Sequence, residues 1–199
     1  MSALRDLVYG KGNRPWPYFS EKFPIKTEIT GNDSLREALE ANIREAGDHL
    51  QKRTSAKCLM TRWNMHEAYA TFGTIGNYAI TLAHSCPVAQ RTTPDGKKEN
   101  VPLHVKESWG LIYVKGNITE MHNHWPSLWS YTFCVNACES CAPLVFPTCE
   151  YEYDVEPMPA QLIIFPAWVM HEVPPHTCDH ERIMVAGNLN IREAEPSAA

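Results

Sequence analysis

The residues with the clearest chemical content are His122, Asn123 and His124, followed 47 positions after His124 by His171 and then by Arg182. Side chains alternate faces along an extended strand with period two, so two imidazoles separated by one residue project from the same side. A third histidine arriving from a later strand then closes one triangular face around a metal ion. Three protein ligands on one face leave the opposite positions open, which distinguishes a catalytic metal from a structural one. Arg182 adds a permanently charged guanidinium that can form a bidentate pair with a carboxylate. The bland readings are a surface ion pair of Arg182 with Glu181 or Asp179, and hydrogen-bonded surface roles for any one of the nine histidines. The order of the whole set is what favours a metal centre at His122, His124 and His171.

Such a set needs a rigid scaffold, and from about Val105 the chain consists of short β-like runs separated by turns. Residues 109–114, 128–135, 144–146, 162–165 and 183–186 are rich in branched and aromatic side chains and too short for stable helices. Upstream, Asn32-Asp33-Ser34 offers N-cap candidates, and Leu35, Leu39, Ile43 and Ala46 recur at helical spacing until Gly47. A second helical stretch is expected over about Glu67 to Ala83, with Gly73 and Gly76 weakening it. Residues 1–31 read as an irregular arm packed by its rings, and residues 90–102 as a polar loop around Pro94-Asp95-Gly96. The expectation is an α+β chain of one domain over 1–199. Residues 1–104 form the arm and supporting helices, 105–192 a small metal-binding β sandwich or barrel, and 193–199 a flexible tail. No internal repeat is visible.

Length and composition narrow the function. A chain of 199 residues that is 44% hydrophobic supports one well-buried core. With 18 basic against 23 acidic side chains and net charge −5, duplex nucleic acid is a disfavoured partner. The first residues break into charge after four positions, unlike a signal peptide, and no apolar run approaches the roughly 20 residues of a membrane span. Seven cysteines without a secretion signal fit a reducing cytoplasm, and their odd number leaves at least one thiol unpaired.

The matching text 121–127 (Met-His-Asn-His-Trp-Pro-Ser), 162–171 (Leu-Ile-Ile-Phe-Pro-Ala-Trp-Val-Met-His) and 181–188 (Glu-Arg-Ile-Met-Val-Ala-Gly-Asn) resembles the Fe(II)- and 2-oxoglutarate-dependent oxygenase superfamily. The resemblance covers roughly Trp109 to Asn190 and is closest to members with a His-x-His…His pattern. It implies a cupin-type double-stranded β-helix, or jelly roll, with helices packed on it. It also implies Fe(II) on His122, His124 and His171, and 2-oxoglutarate with its distal carboxylate on Arg182. The implied chemistry is hydroxylation of a small-molecule or peptidyl substrate by O2, with release of succinate and CO2. Two departures stand out: His124 occupies the position of the usual Asp or Glu ligand, and Met184 replaces the small hydroxyl residue common two positions after the arginine. Tyr131 or Tyr113 is then a candidate for the missing hydrogen bond to the co-substrate. Asn188 and Asn190 share strand parity with Arg182 and are candidates for the same cavity, whereas Asn123 should point away. Trp125 and Trp129 are candidates for the substrate entrance, with core packing expected for at least one.

Other readings compete. Gly116-x5-His122-x-His124 and Pro166-x4-His171 also match parts of the two cupin motifs, which would serve a metal enzyme or small-ligand binder that does not use 2-oxoglutarate. The run Cys134-x3-Cys138-x2-Cys141 resembles a radical S-adenosylmethionine cluster loop, but too little chain follows it for that barrel. Cys138 and Cys141, with Cys149 or Cys178, have the half-site spacing of structural zinc without a second paired half-site, so buried or loop thiols are the default. A further reading is an interaction module that merely retains the histidines. The aromatic residues 14–24 offer either a homodimer surface or a cover for the barrel exterior.

Overall fold

The computed structural model describes residues 25–28, 33–48, 54–86, 90–147 and 153–192. The aromatic segment 14–24, Cys149 and the tail 193–199 lie outside the described residues.

A 14-residue helix, α1 (Asp33–Ala46), starts where the capping residues predict and buries Leu39 and Ile43 completely. Each such burial is worth about 1.5–3 kcal/mol. The helix stops at Gly47, whose φ of +68° and N–H bond to the Ile43 carbonyl (3.1 Å) are those of a left-handed C-terminal cap. The second expected helix is divided in two, α2 (Met65–Ala68) and α3 (Ala70–His84). Tyr69 interrupts it with an extended backbone, φ −131° and ψ 119°. The polar segment 90–102 is not a loop. It forms a hairpin of β3 (Gln90–Thr92) and β4 (Lys98–Asn100) around Gly96, where φ is +83°.

The remaining strands form two sheets. The larger has six strands in the order β1 (Ile25–Glu28), β10 (Gln161–Pro166), β7 (Trp129–Asn136), β12 (Arg182–Ile191), β5 (Leu103–Tyr113), β2 (Leu59–Met60). The smaller has four, in the order β6 (Thr119–His122), β11 (His171–Val173), β8 (Leu144–Phe146), β9 (Tyr153–Val155). All strand pairings within the two sheets are antiparallel. Two expectations change here. The segment 25–28, read as part of an irregular arm, is an edge strand paired with β10, and β2 also comes from the N-terminal half. The sheet that carries Arg182 is therefore built from both halves of the chain.

Period-two alternation sorts side chains to the two faces of the large sheet. One face carries Trp129, Tyr131, Phe133, Val135, Ile183, Val185 and Leu189, which pack with Phe72, Ile75 and Ala79 of α3 and with Leu39 and Ile43 of α1. The opposite face carries Trp109, Leu111, Tyr113, Cys134, Met184 and Ala186, which pack with Leu144, Phe146 and Val173 of the small sheet. The helices thus brace one face, and the two sheets enclose a cavity on the other. No helix among the described residues is long and apolar enough to cross a membrane.

Candidate metal centre

His122 ends β6 and His171 begins β11, and these two residues are direct antiparallel partners, which brings their rings to 4.3 Å between centroids. His124 lies just beyond the strand, so the even spacing that places it beside His122 works across a strand end rather than along a strand. Its backbone N–H donates to the Ala167 carbonyl (2.7 Å), and a tight turn follows in which Ser127 N–H donates to His124 O (2.9 Å). These bonds hang the His124 loop on the end of β10. Its ring stands 4.8 Å from that of His122 and 5.1 Å from that of His171.

One ligand nitrogen from each of His122, His124 and His171 lies within 4.8 Å of the others. Nitrogens bound side by side on one divalent transition metal stand roughly 3 Å apart, so the trio would draw closer to close on an ion. Two rings are also oriented by their free nitrogens. His122 Nδ1 lies 2.8 Å from the Glu120 carbonyl and His171 Nδ1 lies 3.0 Å from the Val169 carbonyl. A carbonyl only accepts, so each Nδ1 carries the hydrogen and each Nε2 presents its lone pair. Burial holds all three imidazoles below their usual 6.5. The neighbouring His122 and Lys106 add to the effect at His124, which is brought to about 3, and His122 and His124 add to it at His171. Neutral imidazole is the form that binds metal.

The trio opens on a cavity of about 310 Å³, a volume suited to a small dicarboxylate beside a metal. Arg182 lines it, only 3% exposed, with its guanidinium 4.8 Å from the centre of the Tyr113 ring, its partner across β5 and β12. The surface ion-pair reading of Arg182 is thereby excluded, because Glu181 pairs with Arg44 and Asp179 with Lys115. Arg182 Nε and Thr132 Oγ1 are buried polar atoms without a hydrogen-bond partner, and both residues line this cavity. A buried donor left unpaired costs about 1–3 kcal/mol, more when charged, so an anionic ligand fits here. Among the described residues that line the cavity, Arg182 is the only Lys or Arg.

The other candidates divide. Tyr113 lies in the cavity wall, its hydroxyl 2.6 Å from Thr119 Oγ1, and burial pushes its acidity down strongly. Tyr131 contributes to the cavity lining, but its ring packs on the helix side of the sheet over Gly187. Asn188 is fully buried and tied in place, accepting from Ser130 Oγ (2.6 Å) and donating to Glu107 Oε1 (2.6 Å). Asn190 accepts from the Leu128 N–H (3.2 Å) at the far end of β12. Asn123, expected to point away, contributes to the cavity wall. Trp129 is a core residue and Trp125 is 72% exposed. The sequence reading missed Trp63 and the inward face of Trp109, which meet edge to face at 4.6 Å, with Trp109 5.6 Å from the His124 ring. Strand parity with Leu111 and Tyr113 was a signal for Trp109, whereas nothing local marked Trp63. Met184 lines the cavity where the resemblance implied a hydroxyl.

No family model matches the chain, and no curated protein sequence matches it. Solved structures do. The viral collagen prolyl hydroxylase of Paramecium Bursaria Chlorella virus-1, in complex with 2-oxoglutarate, aligns with TM-score 0.65 at 14% identity, over 86% of this chain and 97% of that one. A Pseudomonas putida prolyl-4-hydroxylase aligns with TM-score 0.61 at 18% identity, over 84% and 92%. HygX from Streptomyces hygroscopicus, with nickel and 2-oxoglutarate bound, aligns with TM-score 0.58 at 11% identity, over 87% of each chain. The chain has the fold of these prolyl hydroxylases and of HygX. The coarse α+β expectation agrees with this likeness, which spans more than four-fifths of the chain.

Proposed function

We propose that this chain is an Fe(II)- and 2-oxoglutarate-dependent dioxygenase that hydroxylates a peptidyl or small-molecule substrate and releases succinate and CO2. Its two sheets would form a double-stranded β-helix within one domain. The observation that carries the reading is the shared cavity: three neutral imidazoles meet at one end of it, and a buried guanidinium without a carboxylate partner among the described residues lines the same space.

Bound iron and 2-oxoglutarate would supply the electrons that activate O2, and the protein supplies position and environment. His122 and His171 hold their Nε2 lone pairs toward the shared centre because their Nδ1–H groups are tied to backbone carbonyls. His124 completes the face as a neutral ligand, leaving the site one charge more positive than two histidines and a carboxylate would. Arg182 receives the distal carboxylate of 2-oxoglutarate through a charge-assisted pair, with Thr132 Oγ1 as a second donor. Tyr113 holds its ring beside the guanidinium, and its buried phenol stays protonated. Trp63, Trp109 and the apolar wall of the cavity exclude bulk water from the reacting centre.

The neutral third ligand favours one second reading, a cupin-type metal enzyme or small-ligand binder that does not use 2-oxoglutarate. Anaerobic Fe(II) titration with and without 2-oxoglutarate separates the two. The dioxygenase gives a visible charge-transfer band only when both are present, and iron binding that is spectrally indifferent to 2-oxoglutarate refutes it.

A further inference from the structure

Away from the histidine cavity, three thiols converge from two loops. Cys138 and Cys141 lie in the connection from β7 to β8, and Cys178 lies in the connection from β11 to β12. Their sulfurs form a nearly equilateral triangle with edges of 3.6 Å (Cys138–Cys141), 3.7 Å (Cys141–Cys178) and 3.9 Å (Cys138–Cys178). Thiolates bound tetrahedrally to zinc at about 2.3 Å stand roughly 3.8 Å apart, so the triangle already has the dimensions of one face of a zinc site. A disulfide would instead bring one pair to about 2.05 Å and leave the third sulfur out.

The surrounding backbone is built for sulfur ligands. Cys141 N–H donates to the Cys138 carbonyl (3.0 Å), which folds the Cys-x2-Cys segment into a turn, and Cys138 N–H points at Cys141 Sγ (3.3 Å). His176, only 1% exposed, fastens the two loops together: its Nδ1 accepts from Ala142 N–H (3.3 Å), so its Nε2 carries the hydrogen and donates to the His180 carbonyl (2.7 Å). That tautomer makes His176 a brace for the loops rather than a ligand.

We propose that Cys138, Cys141 and Cys178 bind one Zn(II) as thiolates, with the fourth coordination position filled by water, at a site separate from the histidine centre. Thiolates select zinc over the harder divalent ions, and binding releases the thiol protons to solvent without any change of oxidation state. The ion joins the β7–β8 loop to the β11–β12 loop four residues before Arg182, and so anchors the start of the strand that carries the guanidinium. The sequence shows only the Cys-x2-Cys half of this site. It leaves the third ligand open between Cys149 and Cys178, and the fold brings Cys178, 37 residues downstream of Cys141, into the triangle.

The test uses the full chain, purified under reducing conditions, in three forms: the parent, His122→Ala/His171→Ala, and Cys138→Ser/Cys141→Ser. Metal analysis should find one equivalent of zinc retained by the histidine variant and none at the thiol site of the cysteine variant. Replacing zinc with Co(II) should give intense thiolate-to-cobalt charge-transfer absorption in the parent and the histidine variant, and lose it in the cysteine variant. If the cysteine variant does not fold, the cobalt spectrum of the histidine variant decides alone. Absence of thiolate charge transfer there, or a histidine variant without zinc, overturns the proposal.

Discussion

Arg182→Met should act in opposite directions on co-substrate binding and on the stability of the ligand-free protein. Arg182 is 3% exposed, and its guanidinium has the Tyr113 ring beside it but no carboxylate partner among the described residues. When 2-oxoglutarate binds, its distal carboxylate loses water and needs that cation. Removing one partner of a buried charge pair costs about 2–5 kcal/mol. At ~1.4 kcal/mol per tenfold, the dissociation constant should rise roughly 30- to 4,000-fold. Fe(II) affinity should change by only a few-fold, because the imidazoles are untouched. In the ligand-free protein the same substitution removes a desolvated charge rather than breaking an ion pair, and loses a cation–π contact worth about 0.5–2 kcal/mol. The melting temperature without ligand should therefore stay level or rise. Anaerobic titration by the visible band, and thermal melts with and without 2-oxoglutarate, measure both effects. A variant that binds 2-oxoglutarate within threefold of the parent would refute the carboxylate role, and one that melts many degrees lower without ligand would refute the picture of an uncompensated cation.

Three other outcomes are expected. His171→Ala, at a ligand position only 5% exposed, should abolish Fe(II) binding and 2-oxoglutarate-dependent oxygen uptake together; an interaction module would lose neither a metal nor its partner, and metal analysis decides. Because burial keeps the three imidazoles neutral below their usual 6.5, the unfolded chain takes up protons there that the folded metal-free protein does not. Stability is therefore full above about pH 6.5 and falls as the pH drops toward the depressed folded values, His124 being at about 3. Denaturant melts from pH 7.5 to about 4.5 should show a steeper loss in the metal-free parent than in a His122→Gln/His124→Gln/His171→Gln variant, and parallel curves would contradict the assignment. Gly187→Ala places a Cβ 2.4 Å from the Tyr131 ring carbon Cζ and its hydroxyl, and 2.7 Å from the Glu107 carbonyl. Overpacking of this kind costs about 1–3 kcal/mol, so urea denaturation should show a lower midpoint at unchanged slope, and an unaltered midpoint would mean that the ring moves freely.

Much of the site was legible because its chemistry is written in residue type. Few side chains do what His122, His124, His171 and Arg182 do, and their order along the chain limits the ways in which they can meet. Helix α1 was equally plain, from its apolar period and Gly47. What stayed hidden depended on distant parts of the chain. Strands β6 (Thr-Glu-Met-His) and β11 (His-Glu-Val) are only four and three residues long and carry little strand signal of their own; they are strands because His122 and His171 pair across them. The break at Tyr69 had no glycine or proline to announce it. The direction of Tyr131 was within reach, since it shares parity with Phe133 and Val135 and opposes Thr132 and Cys134. The cavity wall contributed by residues 54–63 was not, because only tertiary folding brings that segment to the histidines.

That segment bears on how the protein can be cut. Lys57 N–H donates to the Ile118 carbonyl (2.8 Å) and Glu120 N–H to the Ser55 carbonyl (3.0 Å), so residues 55–57 line the otherwise open border of β6. A fragment beginning at residue 105 would retain every candidate ligand and Arg182, yet its first histidine would sit on a ribbon with a bare flank, and the large sheet would lack both outer strands. Dissecting this chain at the change from helical to strand-rich text should yield a sticky, self-associating polypeptide rather than a minimal enzyme.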